Sequence, residues 1–118
     1  MLFKKIIVPV LLLLSVEAVA QKIKNQATFR TLKTATSLLE AQQFEAAEEY
    51  FRRGLQSARK FQDLYCLAFA IEGLGSYFAK TDQPDSAVAY YKKAIVLYKT
   101  QNLNMSALIT ETLLKSVQ

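Results

Sequence analysis

Apolar residues recur along much of the chain at the three- and four-residue steps of an amphipathic helix. In the central stretch 71–94, Ile71, Leu74 and Phe78 follow the spacing i, i+3 and i+7, which places them on one helical face. Polar residues interrupt the pattern just before Pro84, which fits the first turn of a new helix because no amide hydrogen is needed there. The stretch therefore predicts a helical hairpin.

The same periodicity over the rest of the chain predicts an all-α fold with five helices joined by short loops. Asp63 is well placed as the N-cap of the third helix, and Asn104 as that of the fifth. Nothing in the pattern is typical of a strand. The predicted helices run from about 23 to 41, 44 to 60, 64 to 80, 84 to 100 and 105 to 117.

The chain repeats itself at a step of 40 residues. The matched pairs are Ala47 with Ala87, Phe51 with Tyr91, Gly54 with Ala94 and Phe29 with Phe69. One hairpin therefore occurs at least twice, over about 28–61 and 68–101, and the helix at about 105–117 follows as a cap or as an interrupted third repeat. A single hairpin has too little apolar area to be stable alone, so we expect the hairpins to stack into one domain over 21–118.

The second hairpin resembles the tetratricopeptide repeat (TPR) family, whose usual unit is about 34 residues. The residues that match its signature are Leu74, Gly75, Phe78, Ala87, Tyr91 and Ala94, with Ala47, Phe51 and Gly54 at the corresponding positions of the first hairpin. The step of 40 is similar to that of long-helix versions of the repeat. The resemblance implies an α-solenoid of stacked antiparallel hairpins, with two repeats and a C-terminal capping helix, that serves as a binding scaffold.

In that family, ligands usually lie against the concave face formed by the first helix of each hairpin. The resemblance therefore implies a partner-binding face that contains Phe29, Leu32, Thr36, Glu40, Phe69, Glu72, Ser76, Lys80, Thr112 and Ser116. For Phe29 and Phe69, burial between the helix layers is an equally good alternative. The lysine and asparagine pattern by which some relatives hold a peptide carboxylate is absent from these positions.

Basic pairs occur at equivalent positions of the two hairpins, Arg52-Arg53 and Lys92-Lys93. They could form a basic ridge, but Glu48 precedes Arg52 by four residues, the spacing of an exposed ion pair on one helix face. We therefore interpret these positions as a solvated outer face.

The fifth helix carries apolar residues around much of its circumference. These are Met105, Leu108, Ile109, Leu113, Leu114 and Val117. A terminal cap of a helical stack needs a polar outer face. We therefore expect this helix to dock on a second copy of the chain or on another protein.

Residues 1–20 have the three zones of an export signal: Lys4 and Lys5, an apolar run over 6–16, and small residues ending at Ala20. We expect cleavage after Ala20 and a periplasmic or secreted protein. A membrane anchor is the alternative, but a spanning helix needs about 20 apolar residues and Glu17 ends this run early. No membrane span is expected after cleavage.

Composition argues against catalysis, cofactors and metal binding. The chain has no histidine, one cysteine and no Gly-rich phosphate loop. Its net charge of +5 is spread along the sequence, so we expect no nucleic-acid partner. The single Cys66 excludes an internal disulfide, and its apolar neighbours predict a packed thiol.

Two functional hypotheses follow from these features. The first is an exported, non-catalytic scaffold that binds a protein or peptide. The second is the N-terminal, ligand-sensing part of a longer TPR-containing membrane signalling protein, in which the reading frame would continue beyond Gln118.

Overall fold

The computed structural model of the chain describes residues 25–118, and this part is all-α, without a strand. Its helices are α1 (Gln26–Glu40), α2 (Phe44–Lys60), α3 (Leu64–Lys80), α4 (Pro84–Thr100) and α5 (Asn104–Val117). The predicted fold class is confirmed, and the predicted bounds of α2, α3 and α4 agree with the observed ones. The predicted export signal over 1–20 lies outside the described residues.

Successive helices are joined by turns of three residues that share one backbone conformation. In the first turn, the N–H of Gln43 donates to the carbonyl of Leu38 at 2.9 Å, and each later turn has the same bond across five residues. Such bonds satisfy carbonyls left without a partner at a helix end. The second residue of each turn has a positive φ of 53 to 62°; these residues are Gln42, Gln62, Asp82 and Asn102, spaced by 20. Each turn reverses the chain, so neighbouring helices are antiparallel.

The helices pack in chain order, with a second set of contacts between the first helices of successive hairpins. Each helix packs against the next one, α1 also contacts α3, and α3 contacts α5. The described residues form an elongated stack of 53 × 30 × 28 Å. This is the arrangement of a helical-repeat fold, in which each layer supplies part of the core of the next.

Small residues lie where the helices cross. Gly75 has the ring of Tyr91 so close that an added Cβ would lie 2.8 Å from Cδ1, and Ala87 and Ala94 are fully buried. A side chain at such a crossing would push the helix axes apart. A further contact was not predicted from the sequence: the ring of Phe51 in α2 lies directly against the Cα of Gly73 in α3.

The first hairpin uses its signature positions in the same way. Ala47 and Phe51 are buried, and Leu32 of α1 fills the space over Gly54 of α2. In the second hairpin, Leu74 is fully buried, and Phe78 is only half-buried, with its ring centroid 5.2 Å from those of Tyr77 and Tyr90.

Polar caps fix the start of two helices. Asn25 accepts from the N–H of Thr28, which explains why α1 begins at Gln26 rather than at residue 23. Asp63 caps α3 as predicted, and its second carboxylate oxygen accepts from the N–H of Asn25 at 3.0 Å. The prediction for Asn104 was wrong, because α5 already includes it and the preceding Leu103 makes no side-chain cap bond.

Over residues 25–118, none of the helices combines the length and the apolar character required to cross a membrane.

Candidate functional site

Aromatic side chains form a row across the first helices of the two hairpins. The ring centroids of Phe29 in α1 and Phe69 in α3 lie 5.8 Å apart, and Tyr65 lies 6.2 and 6.3 Å from them. Both phenylalanines are half-buried. The row therefore joins the two layers and also leaves part of each ring at the surface. We call Phe29, Tyr65 and Phe69 the aromatic row.

A cation borders the aromatic row. The ammonium nitrogen of Lys33, one turn after Phe29, lies 5.7 Å from the Phe29 ring centroid. This contact places the positive charge of Lys33 over the face of the Phe29 ring. The row thus offers an apolar surface with a basic edge.

Glu72 lies on the same side of α3 but is engaged inside the fold. One of its carboxylate oxygens accepts a hydrogen bond from the Thr110 hydroxyl of α5 at 2.6 Å. Burial raises the pKa of Glu72, and the hydrogen bond from Thr110 offsets part of that rise. Burial together with the Glu72 carboxylate raises the pKa of Tyr98, which packs beside it in α4. Glu72 therefore links three helices.

Several other predicted site residues are also occupied by internal contacts. Ser76 and the Tyr91 hydroxyl are 2.9 Å apart and share a hydrogen bond. Thr36 donates to the carbonyl of Leu32 at 3.0 Å, and Leu32 itself is fully buried. Leu32 is thus removed from any accessible face because Gly54 opposite it leaves room for its side chain.

The remaining predicted positions lie at the surface. Glu40 and Lys80 are exposed at the ends of α1 and α3. Thr112 and Ser116 are exposed on α5, and their hydroxyls donate to carbonyls of their own helix. The structure therefore brings Phe29 and Phe69 together, and it leaves these four polar residues apart from that pair.

The predicted apolar surface of α5 is present. Met105, Leu108 and Ile109 are 70%, 55% and 56% exposed, whereas the other three apolar residues of the helix are half-buried. Three large side chains within five residues form an uncovered face, which we call the α5 face.

The outer side of the first hairpin carries the predicted ion pairs. Arg52 contacts Glu48 at 2.9 Å and Arg53 contacts Glu49 at 2.6 Å; Glu48 is half-buried and the other three side chains are exposed. Exposed pairs of this kind contribute about 0.3–0.5 kcal/mol each. They neutralise Arg52 and Arg53.

The single cysteine of the chain, Cys66, lies outside the aromatic row. Cys66 is buried, and burial raises the pKa of its thiol to about 12, which fits the predicted packed thiol. Among residues 25–118, His, Cys, Asp and Glu side chains nowhere gather in threes that could hold a metal ion.

Sequence reasoning missed the roles of Gly73 and Thr110. A glycine in the middle of a helix was an available signal for a close contact, since it is otherwise unfavourable there. Thr110 gave no comparable signal.

The described residues offer a partner two surfaces: the aromatic row with its basic edge, and the apolar surface on α5. Comparison of the chain with protein-family models, with curated proteins and with solved structures finds no match in any of the three.

Proposed function

We propose that this chain is an exported, non-catalytic scaffold of the TPR type that binds a protein or peptide partner on the side of the aromatic row. The observation that carries the proposal is the row itself, in which two half-buried phenylalanines from successive hairpins lie 5.8 Å apart. Aromatic side chains of this kind supply large contact area at low entropic cost.

The row is suited to an apolar or aromatic side chain of a partner. An added ring could pack against Phe29 and Phe69 in the tilted geometry that they already share, worth about 0.5–1.5 kcal/mol beyond the buried area. Lys33 at the edge would favour a partner with a carboxylate or a carbonyl beside that side chain.

Affinity capture from an envelope extract followed by a binding measurement tests this proposal. The captured protein is identified by mass spectrometry, and its dissociation constant is measured for the parent, for Phe29→Leu with Phe69→Leu, and for Phe61→Leu. Leucine keeps apolar volume and removes the ring, and Phe61 is an exposed phenylalanine outside the row. We expect about tenfold weaker binding for the first variant only. Equal affinity of all three proteins would contradict the proposal.

The α5 face supports a second contact, with another copy of the chain or with another protein. Its three exposed apolar side chains favour such a contact because association would remove them from water. Light scattering over a range of protein concentrations tests self-association. A monodisperse monomer at high concentration would contradict it.

The sensor hypothesis is a second candidate that the same face favours. α5 begins 40 residues after α3, at the place of the first helix of a third hairpin, so a further helix could cover its exposed apolar residues. The nucleotide sequence after the codon for Gln118 tests this alternative. An open frame that encodes more helical repeats and a membrane span would support it, and an immediate stop codon would contradict it.

A further inference from the structure

The outer sides of α2 and α4 can be compared residue by residue, because the two helices are related by the 40-residue repeat. A step of 40 residues replaces Glu48 by Val88 and Glu49 by Ala89, while Arg52 and Arg53 become lysines. The basic charges are thus kept, and the carboxylates that pair with them in α2 are lost.

Lys92 and Lys93 therefore lack the neutralisation that their counterparts have. Among the described residues neither lysine has an ion pair with a carboxylate, and the ammonium of Lys93 lies 5.7 Å from the Tyr90 ring centroid. Both lysines are exposed. This side of α4 carries two positive charges open to a partner.

The same two lysines border an apolar groove of about 450 Å³. Its other lining residues are Ile71 of α3 and Val96 and Leu97 of α4. Val96 is 59% exposed, and the equivalent residue of the first hairpin is the polar Gln56. At this position, therefore, the second hairpin has an apolar side chain and the first does not. The volume lies within the roughly 300–1,000 Å³ of ligand sites in proteins.

From this juxtaposition we infer that the groove binds an acidic peptide segment, with one bulky apolar side chain against Val96 and Leu97 and carboxylates on either side of it. Adjacent residues of a helix point about 100° apart, so Lys92 and Lys93 cannot share one carboxylate easily. Two separate acidic groups match them better than the single headgroup of a fatty acid. An anionic membrane surface is bound by clusters of about 4–8 basic residues, whereas this groove has two. The inference rests on the proposed scaffold function and names a second surface and the chemistry of its partner.

Selection of a displayed library of random peptides on the immobilised full chain tests this assignment. We expect enriched peptides in which acidic residues flank a bulky apolar one. The affinities of these peptides, made synthetically, are then measured for Lys92→Gln with Lys93→Gln and for the matched control, Arg52→Gln with Arg53→Gln. The two double variants make the same charge change at equivalent exposed positions. We expect about tenfold weaker binding for the lysine variant and less than about twofold for the arginine variant.

Val96→Gln provides a test of the apolar part of the groove without a change in charge. It installs the residue type of the equivalent position in the first hairpin, at an exposed site, so the fold should be kept. We expect weaker peptide binding and an unchanged melting temperature.

The outcomes separate the two proposals. Peptides that lose affinity with Phe29→Leu and Phe69→Leu, and not with the lysine variant, would overturn the groove and leave the scaffold in place. Equal losses for the lysine and arginine variants would overturn it as non-specific attraction. Tighter binding of anionic lipid vesicles than of any selected peptide would overturn it in favour of a membrane surface. A library without any enriched peptide would count against both proposals.

Discussion

The Thr110 hydroxyl lies 2.6 Å from a carboxylate oxygen of Glu72 and 2.8 Å from the carbonyl of Ser106. A hydroxyl has one hydrogen, so it cannot satisfy both acceptors fully at once. A protonated Glu72 could instead donate to Thr110, which would free the Thr110 hydrogen for Ser106. Burial raises the pKa of Glu72, and the hydrogen bond that Thr110 donates to its carboxylate offsets only part of that rise.

We predict that replacing Thr110 by valine destabilises the fold. Valine keeps the shape and removes the donor, so the half-buried carboxylate of Glu72 loses its hydrogen bond. The expected loss is about 1.5–3 kcal/mol in the free energy of unfolding at pH 7, measured by urea titration. Thr112→Val is the matched control on the same helix, because that hydroxyl is exposed and donates only to its own backbone. Equal free energies of unfolding for the two variants would show that the hydrogen bond between Thr110 of α5 and Glu72 of α3 adds little stability.

Ionisation of Glu72 should make stability depend on pH. Below its ordinary pKa of 4.5, Glu72 carries a proton in both the folded and the unfolded chain. As the pH rises through the interval between 4.5 and the raised folded pKa, the unfolded chain releases the proton first, so the free energy of unfolding falls. Glu72→Gln removes this dependence and can still donate to Thr110. We expect the variant to gain stability relative to the parent as the pH rises to 7. A difference that stays constant from pH 4 to 7 would contradict the assignment.

Gly73 is predicted to be irreplaceable by a larger residue because the ring of Phe51 lies against it. Alanine at a helix interior normally gains about 1 kcal/mol over glycine. Here we expect Gly73→Ala to lose about 1–3 kcal/mol instead, because Phe51 is buried and its rigid ring must move. Thermal and urea unfolding measure the change.

A double variant checks the cause of that loss. Phe51→Leu makes room near Gly73, so Gly73→Ala should be less harmful in this background than in the parent. A double-mutant cycle measures this coupling. An unchanged effect of Gly73→Ala would mean that the ring is not what excludes a side chain.

The helical hairpins could be predicted from the sequence because their determinants are local. The three- and four-residue spacing fixes one face of each helix, and Asp63 and Pro84 identify helix starts without any knowledge of the neighbours. The buried state of Ala87 and Ala94 followed from the same reasoning, since small residues at fixed steps indicate helix crossings.

The candidate site was predicted less well because it depends on how each helix is rotated against the others. Leu32 and Glu72 occupy equivalent positions, yet Leu32 is buried over Gly54 whereas Glu72 reaches α5. The partner of Glu72 is 38 residues away, and no spacing rule connects Thr110 to it. The contact between Phe29 and Phe69 follows the 40-residue step, and it is the part of the predicted face that the structure brings together.

The turns between helices provide a route to a more stable protein. Gln42 and Gln62 have φ values of 62 and 53°, in the left-handed region that glycine adopts without strain. We predict that Gln62→Gly raises the free energy of unfolding by about 1 kcal/mol, seen as a higher melting temperature. Asn102→Gly should gain less, because asparagine tolerates this region better than glutamine. A lower melting temperature for Gln62→Gly would show that side-chain contacts of Gln62 outweigh the backbone strain.

Cys66 should be unreactive in the folded protein. Burial raises the pKa of its thiol to about 12, so very little thiolate is present at pH 8, and the side chain is also shielded from solvent. We expect a disulfide-exchange reagent such as dithionitrobenzoate to react with the folded chain far more slowly than with the chain in concentrated denaturant. The reaction rate in increasing denaturant should follow the unfolded fraction measured independently by circular dichroism. Fast labelling in the absence of denaturant would mean that the start of α3 opens locally, which would require the contacts of Asp63 with Asn25 and Cys66 to break.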